Sequence, residues 1–206
     1  SVATPPAPVA AARNTRSATG RGRSRTMKGR EERSIAGVYS LDLQVFGDDR
    51  GRFSEMFRNE WFPERDWGKV QVNRSHSSAT ILRGLHYHHR QADYWHPLSG
   101  TIRVGLYDLR RQSPTYGTGE AFDISGEDFT GLFIPPGVAH GFYSVTDLTL
   151  IYVVDSYYDG ADELGVAWDD PALGLDWAIP AGTEPILSER DATNPPLAQL
   201  DEEDLP

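Results

Sequence analysis

The chain has 206 residues, enough for one domain with a sizeable core, and no run of about 18 apolar residues that would span a membrane as a helix. It contains no cysteine, which excludes disulfides, thiol nucleophiles and thiolate metal sites, so any metal must be held by His and carboxylate; the composition is compatible with a cytoplasmic protein. The formal net charge of -10 is uneven, because residues 1–30 carry seven Lys/Arg and no acid, and the more acidic remainder is a poor surface for nucleic acid.

Residues 1–26 are rich in Ala, Pro, Ser, Thr, Gly and Arg without apolar periodicity, which predicts a disordered basic extension, with the folded unit starting near Met27. Short apolar runs then follow one another between Gly, Pro and Asp turns. They predict strands over Gly37–Phe46, Arg52–Phe57, Val70–His76, Ile81–His86 and Ile102–Leu109, then Gly119–Ile124, Gly131–Ile134, Gly141–Ser144 and Thr149–Tyr157. Trp61–Trp67 reads as a helical turn or loop. Residues 184–206, acidic and Pro-containing, read as a loosely packed tail after a single domain over 27–183. Many short strands with little helical periodicity predict an all-β sandwich or barrel, and a jelly roll fits because its double sheet covers its own edges and leaves a cavity between the sheets.

One stretch concentrates chemistry. His86, His88, Asp93 and Gly100 are followed by Pro135, Gly137 and His140, in the pattern H-x-H-x4-D-x6-G and P-x-G-x2-H. His86 and His88 point to one face of a strand, since side chains alternate with period two. With Asp93 and His140 they make a candidate metal set of three imidazoles and a carboxylate, suited to Fe, Mn, Ni, Co or Zn as the divalent ion. The pattern resembles the signature of metal-binding cupins, with Asp where Glu is usual. His89 and His96 are expected near the surface or the cavity mouth.

The chain also resembles the dTDP-4-dehydrorhamnose 3,5-epimerase family, which is built on the cupin jelly roll, from about Met27 to Pro180. The resemblance rests on Asp48 to Glu55, Gln71 to Ser75, Leu82 to Tyr87, Asp108 to Arg110 and Ser113 to Gly117. It continues through Pro135 to Phe142, Asp155 to Tyr158 and Trp168 to Pro171. It implies an isomerase that removes a proton beside the 4-keto group of a dTDP-hexose in deoxysugar biosynthesis, without an organic cofactor. His86 would be the base, Asp170 its orienting partner, and Tyr152 the acid that returns a proton to the opposite face. A base near neutrality is what a carbon acid next to a ketone needs. Arg50, Phe53, Glu55, Gln71, Asn73, Arg83, His140 and Tyr158 would contact the diphosphate, sugar and nucleotide. The family also implies a homodimer that exchanges strands.

The chain departs from that family at two positions. The family usually reads H-Y-Q and then Q-x-K, where this chain has His88 and Asp93. The Lys is the cation that stabilises the enolate. At about 4 Å and an effective dielectric near 20, a unit-charge pair is worth roughly 4 kcal/mol, and loss of one oxyanion donor costs about 100- to 1000-fold in rate. A metal on the substituted residues would replace that cation as a Lewis acid. Two other readings compete: a metallocupin turned to oxygenation, decarboxylation or a lyase reaction, and a sugar-nucleotide binder without turnover.

Overall fold

Strand-forming segments separated by tight turns build two facing antiparallel sheets in the computed structural model, which describes residues 27–206. The expected extension over residues 1–26 lies outside the described residues. The strands are β1 (Met27–Glu32), β2 (Tyr39–Leu43), β3 (Val45–Asp48), β4 (Gly51–Ser54), β5 (Gln71–Ser77), β6 (Leu82–Tyr87) and β7 (Asp93–Ser99). They continue as β8 (Thr101–Asp108), β9 (Gly119–Ser125), β10 (Thr130–Ile134), β11 (Val138–Ser144), β12 (Leu148–Val154) and β13 (Leu164–Gly165). A six-stranded sheet runs β1-β2-β10-β7-β12-β5, a five-stranded sheet β13-β6-β11-β8-β9, and β3 and β4 form a separate hairpin. This is the jelly roll expected from the strand pattern, with only short helical turns and one four-residue helix, α1 (Glu189–Ala192), among the described residues. No helix among the described residues is long and apolar enough to cross a membrane.

Each strand sorts its side chains by alternation, and three apolar clusters result. Trp95, Ile102, Val104, Leu132, Phe142 and Leu150 fill the space between the sheets. The outer face of the six-stranded sheet packs Tyr94, Phe133 and Val153 against Trp61, Phe62 and Trp67, so the Trp61–Trp67 stretch acts as a cover. The outer face of the five-stranded sheet buries Leu82, Leu85, Tyr87, Tyr107, Leu109 and Tyr143.

That last face corrects one expectation. Residues 184–206 are not loose: Leu187, Leu197, Leu200 and Leu205 pack on it. Leu82 N donates to the Ile186 carbonyl (3.0 Å), and Ile186 N to that of Thr80 (2.9 Å). The composition resembles a solvated tail because Glu184, Glu189, Asp201, Glu202 and Glu203 are exposed, while the leucines cover a sheet face that would otherwise be wet.

Two further differences have local causes. The strand pattern does not predict β7, because β7 runs through the middle of its sheet, is buried over Asp93–Pro97 and so lacks polar alternation, and contains Pro97. Pro97 is tolerated where the register with β12 shifts, beside the Thr149/Leu150 irregularity. His96, on the outward side of β7, is buried rather than near the surface, and burial lowers its pKa against the opposing effect of a backbone contact with Thr130.

Candidate active site

The site is set by the pairing of β6 with β11. His140 lies opposite His86, but Phe142 lies opposite Arg83, so β6 carries an extra residue at Gly84-Leu85. Strict alternation would put Arg83 and His86, three residues apart, on opposite faces; the irregularity turns both toward the space between the sheets. Only glycine fits here. Gly84 has φ +114°, and an added Cβ would stand 2.8 Å from both Gly141 Cα and the His140 carbonyl oxygen. After the irregularity alternation resumes, and His86 and His88 share the inward face while Tyr87 enters the outer core.

A cavity of about 400 Å³ opens between the sheets at this point, within the size range of small-ligand sites. One wall carries Arg83, His86, His88, His140 and Phe142 from the five-stranded sheet and its extension. The other carries Gln71, Asn73 and Ser75 of β5, Asp93 and Trp95 of β7, and Leu150, Tyr152 and Val154 of β12. Tyr158, Asp159 and Glu163 complete the lining.

His86 Nε2 donates to Asp191 Oδ1 at 2.7 Å. Asp191 also accepts from Gly84 N (3.3 Å), and its own N–H donates to Ser188 Oγ (3.1 Å), the N-cap of α1. Burial works to raise the Asp191 carboxyl, but the hydrogen bonds and charge interaction from His86, with those from Gly84 N and Ser188, outweigh it and hold the pKa below the ordinary value. The partner of His86 is therefore Asp191 and not Asp170. Asp170 caps the Pro171–Leu173 turn by accepting from Ala172 N (2.9 Å) and ties down the C-terminal segment by accepting from Leu197 N (2.7 Å). Sequence reasoning missed Asp191 because it lies 105 residues from His86 in a segment read as loose; the Ser188-x-x-Asp191 helix-start pattern was the available signal.

Three of the four predicted metal ligands come together. Ligand atoms of His88, Asp93 and His140 lie within 4.8 Å of one another, and all three residues are buried. His86 is not among them, and its Nε2 is engaged by Asp191 instead. Desolvation, together with the neighbouring imidazoles and against the Asp93 charge, pushes the His140 pKa down to about 4, so the ring is neutral near pH 7.

On the opposite wall the Tyr152 hydroxyl is raised above its ordinary pKa, first by burial and then by the charges of Asp93 and Glu163, with Arg83 opposing. It keeps its proton at neutral pH. Arg83 donates from Nε to Ser77 Oγ (3.1 Å) and has no carboxylate partner among the described residues, which leaves its guanidinium for an anionic ligand. Gln71 Nε2 donates to Asn73 Oδ1 (2.9 Å), and Gln71 Oε1 accepts from Tyr158 N (3.1 Å), so the strand edge and the exposed Tyr158 ring form one polar rim. Glu163, another residue that sequence reasoning missed, pairs with Arg190 at 2.9 Å.

Arg50, Phe53 and Glu55 are not brought to this cavity. Arg50 bonds Asp48 (Nε to Oδ2, 3.1 Å) at the tip of the β3–β4 hairpin, Phe53 is 63% exposed on the same hairpin, and Glu55 pairs with Arg58 (2.7 Å).

Comparison with known proteins places the chain in a family. The family model described as dTDP-4-dehydrorhamnose 3,5-epimerase matches residues 32–199. The chain belongs to this family. It is 38% identical over 174 residues to a dTDP-4-dehydrorhamnose 3,5-epimerase of Sinorhizobium fredii, covering 81% of this chain and 88% of the relative. A dTDP-4-dehydro-6-deoxyglucose 3-epimerase of a Streptomyces species is 37% identical over 172 residues, covering 80% and 87%. Among solved structures, a Legionella pneumophila dTDP-6-deoxy-D-glucose-3,5-epimerase in complex with dTDP-4-keto-L-rhamnose superposes with a TM-score of 0.80 at 32% identity, covering 86% of this chain and 97% of that one. The matched region includes α1 and Asp191, so the C-terminal segment is part of the family domain. The protein is thus an isomerase of the epimerase type, and an oxygenase, decarboxylase or lyase reading is not favoured.

Proposed function

We propose that the protein epimerises a dTDP-4-keto-6-deoxyhexose through an enolate, with His86 as base and Tyr152 as acid. The observation that carries this reading is the placement of the His86–Asp191 pair and the protonated Tyr152 hydroxyl on opposite sheets of one cavity. Asp191 accepts the Nε2 proton, so Nδ1 is the lone-pair atom that takes a proton from the carbon beside the ketone, and the carboxylate stabilises the resulting imidazolium. Tyr152 returns a proton from the other wall. Removal from one face and return to the other is inversion.

Arg83 meets the diphosphate, while Gln71, Asn73 and Tyr158 shape the nucleotide end. Relatives named for such sugars, including one named a 3-epimerase, support the substrate class. Arg50 and Phe53 enter the site from a second copy in a strand-exchanged homodimer. The support is that the β3–β4 hairpin stands apart from both large sheets with Phe53 exposed, and that β5, beside the cavity, is a sheet edge whose Val72 is 61% exposed. A divalent cation on His88, Asp93 and His140 is an addition to this reading and not a condition of it, since His86 and Asp191 form their pair without it.

The test is deuterium incorporation beside the ketone of a dTDP-4-keto-6-deoxyhexose in deuterated water. Wild type exchanges; His86→Asn loses about 100- to 10,000-fold. Equal rates in the two would remove His86 from the mechanism.

A further inference from the structure

The space between His88, Asp93 and His140 has an unusual hydrogen-bond balance. His88 Nδ1 stands 2.7 Å from the Asp162 carbonyl oxygen, and His140 Nδ1 stands 2.9 Å from that of Val138. A carbonyl only accepts, so each ring carries a proton on Nδ1, and the atom left to act as a ligand toward the cavity is Nε2. Those two Nε2 atoms face a carboxylate, another acceptor. His88 Nε2 is 3.9 Å from Asp93 Oδ1, and His140 Nε2 is 3.8 Å from Asp93 Oδ2. Both gaps are too long for hydrogen bonds. Three acceptors thus converge on one point, 8%, 4% and 5% exposed. Acceptors gathered at a little-exposed point repel one another unless a cation or a donor lies between them.

The surroundings hold these groups in that arrangement. The Asp93 carboxylate is fixed by Gln91 Nε2 on Oδ1 (2.8 Å) and Trp95 Nε1 on Oδ2 (3.1 Å). Gln91 Nε2 also reaches His88 Nε2 at 3.3 Å, so its amide bridges one of the two gaps; no comparable donor bridges Asp93 and His140 among the described residues. Imidazoles whose second nitrogen is committed to a backbone carbonyl, beside a carboxylate oriented by its own donors, are what metal-binding side chains require of their neighbours.

We propose that His88, Asp93 and His140 bind one divalent first-row transition-metal ion, leaving its other positions open to the cavity. Two imidazoles and one carboxylate suit Zn(II), Fe(II), Co(II), Ni(II) or Mn(II), and are poor ligands for Ca(II) or Mg(II), which prefer oxygen. Ligand atoms at about 2.1 Å from a metal stand about 3 to 3.5 Å apart in tetrahedral or octahedral arrangements. The observed gaps of 3.8 and 3.9 Å, with all three ligand atoms within 4.8 Å of one another, exceed that range, so binding would draw the three side chains together. The ion's place in the reaction rests on the epimerase reading: a positive charge beside Asp93, between the two walls, would lie where the family's Lys normally stabilises the enolate. The site itself does not rest on that reading.

The experiment uses the full chain without a His tag, stripped with a chelator, dialysed against micromolar Zn(II) and analysed for bound metal, with Co(II) absorption as a second readout. Wild type should retain about one Zn(II) per chain. His88→Gln, which restores the residue usual in the family, and Asp93→Asn should each retain less than about a tenth of that, with melting temperatures near that of stripped wild type. Wild type that retains no Zn(II), or variants that retain as much as wild type, would overturn the site. Deuterium exchange on the same samples separates the two ideas. Zn(II) bound without exchange overturns the epimerase reading and leaves the site standing, whereas exchange without Zn(II) does the reverse.

Discussion

Asp191→Asn, with Asp170→Asn beside it, distinguishes the dyad seen in the fold from the one the motifs suggested. Asn can still accept at one oxygen, so the hydrogen bond to His86 Nε2 survives in form, but the charge facing the imidazolium is lost. A buried hydrogen bond to a charged group contributes about 1.5 to 3 kcal/mol, which at about 1.36 kcal/mol per decade is roughly a 10- to 150-fold loss in rate. If the Asn amide turns and donates instead, the ring takes the wrong tautomer and the loss approaches the roughly 10,000-fold seen for such a change in serine proteases. Asp170→Asn disturbs only a helical-turn cap and the anchor to Leu197. It should cost about 1 kcal/mol of stability and leave the rate near wild type. The assay is the initial rate of deuterium incorporation beside the ketone at saturating dTDP-4-keto-6-deoxyhexose, followed by NMR. An Asp191→Asn rate within twofold of wild type, with Asp170→Asn the slower, would refute the assignment.

Tyr152→Phe should slow formation of inverted product by about 100-fold or more, while deuterium exchange driven by His86 falls less; equal losses in both would place Tyr152 outside the return step. In wild type, the alkaline limb of that step should lie above the ordinary tyrosine value of 10, because burial raises the hydroxyl. Truncation after Thr183 removes Asp191 and four leucines from the outer face of the five-stranded sheet. At about 1.5 to 3 kcal/mol for a fully buried Leu, even half-burial implies a loss of about 3 to 6 kcal/mol, and a melting temperature lower by roughly 6 to 24 °C; an unchanged melting temperature would restore the loose-tail reading. Folding lowers the Asp191 carboxyl, so its stabilising contribution is complete above the ordinary value of 3.8 and is lost as the pH falls through the lowered one. Denaturant midpoints of wild type and Asp191→Asn should therefore converge as the pH drops below about 3.8.

Turn spacing and strand alternation made the jelly roll legible, and alternation alone placed His86 and His88 on one face. Motif order assigns Gln71, Asn73, Arg83, His140, Tyr152 and Tyr158 to one site, and all six line the cavity. What was not legible depends on three-dimensional pairing. The irregularity at Gly84-Leu85, which aligns Arg83 with His86, breaks the period-two rule on which a strand reading relies. Asp191 was hidden because a polar segment that packs through four spaced leucines has the composition of a solvated tail. His86 fitted the metal pattern by spacing, yet its ring is committed to Asp191, a partner 105 residues away.

The central claim is that His86 removes a proton from a carbon beside a ketone and that Tyr152 returns one from the opposite wall. The measurement that tests it most directly is an NMR time course of wild type and His86→Asn with a dTDP-4-keto-6-deoxyhexose in deuterated water. The account predicts deuterium at an inverted carbon next to the ketone in wild type and almost none in the variant. Wild-type protein that binds the sugar nucleotide yet leaves every such hydrogen in place would contradict it.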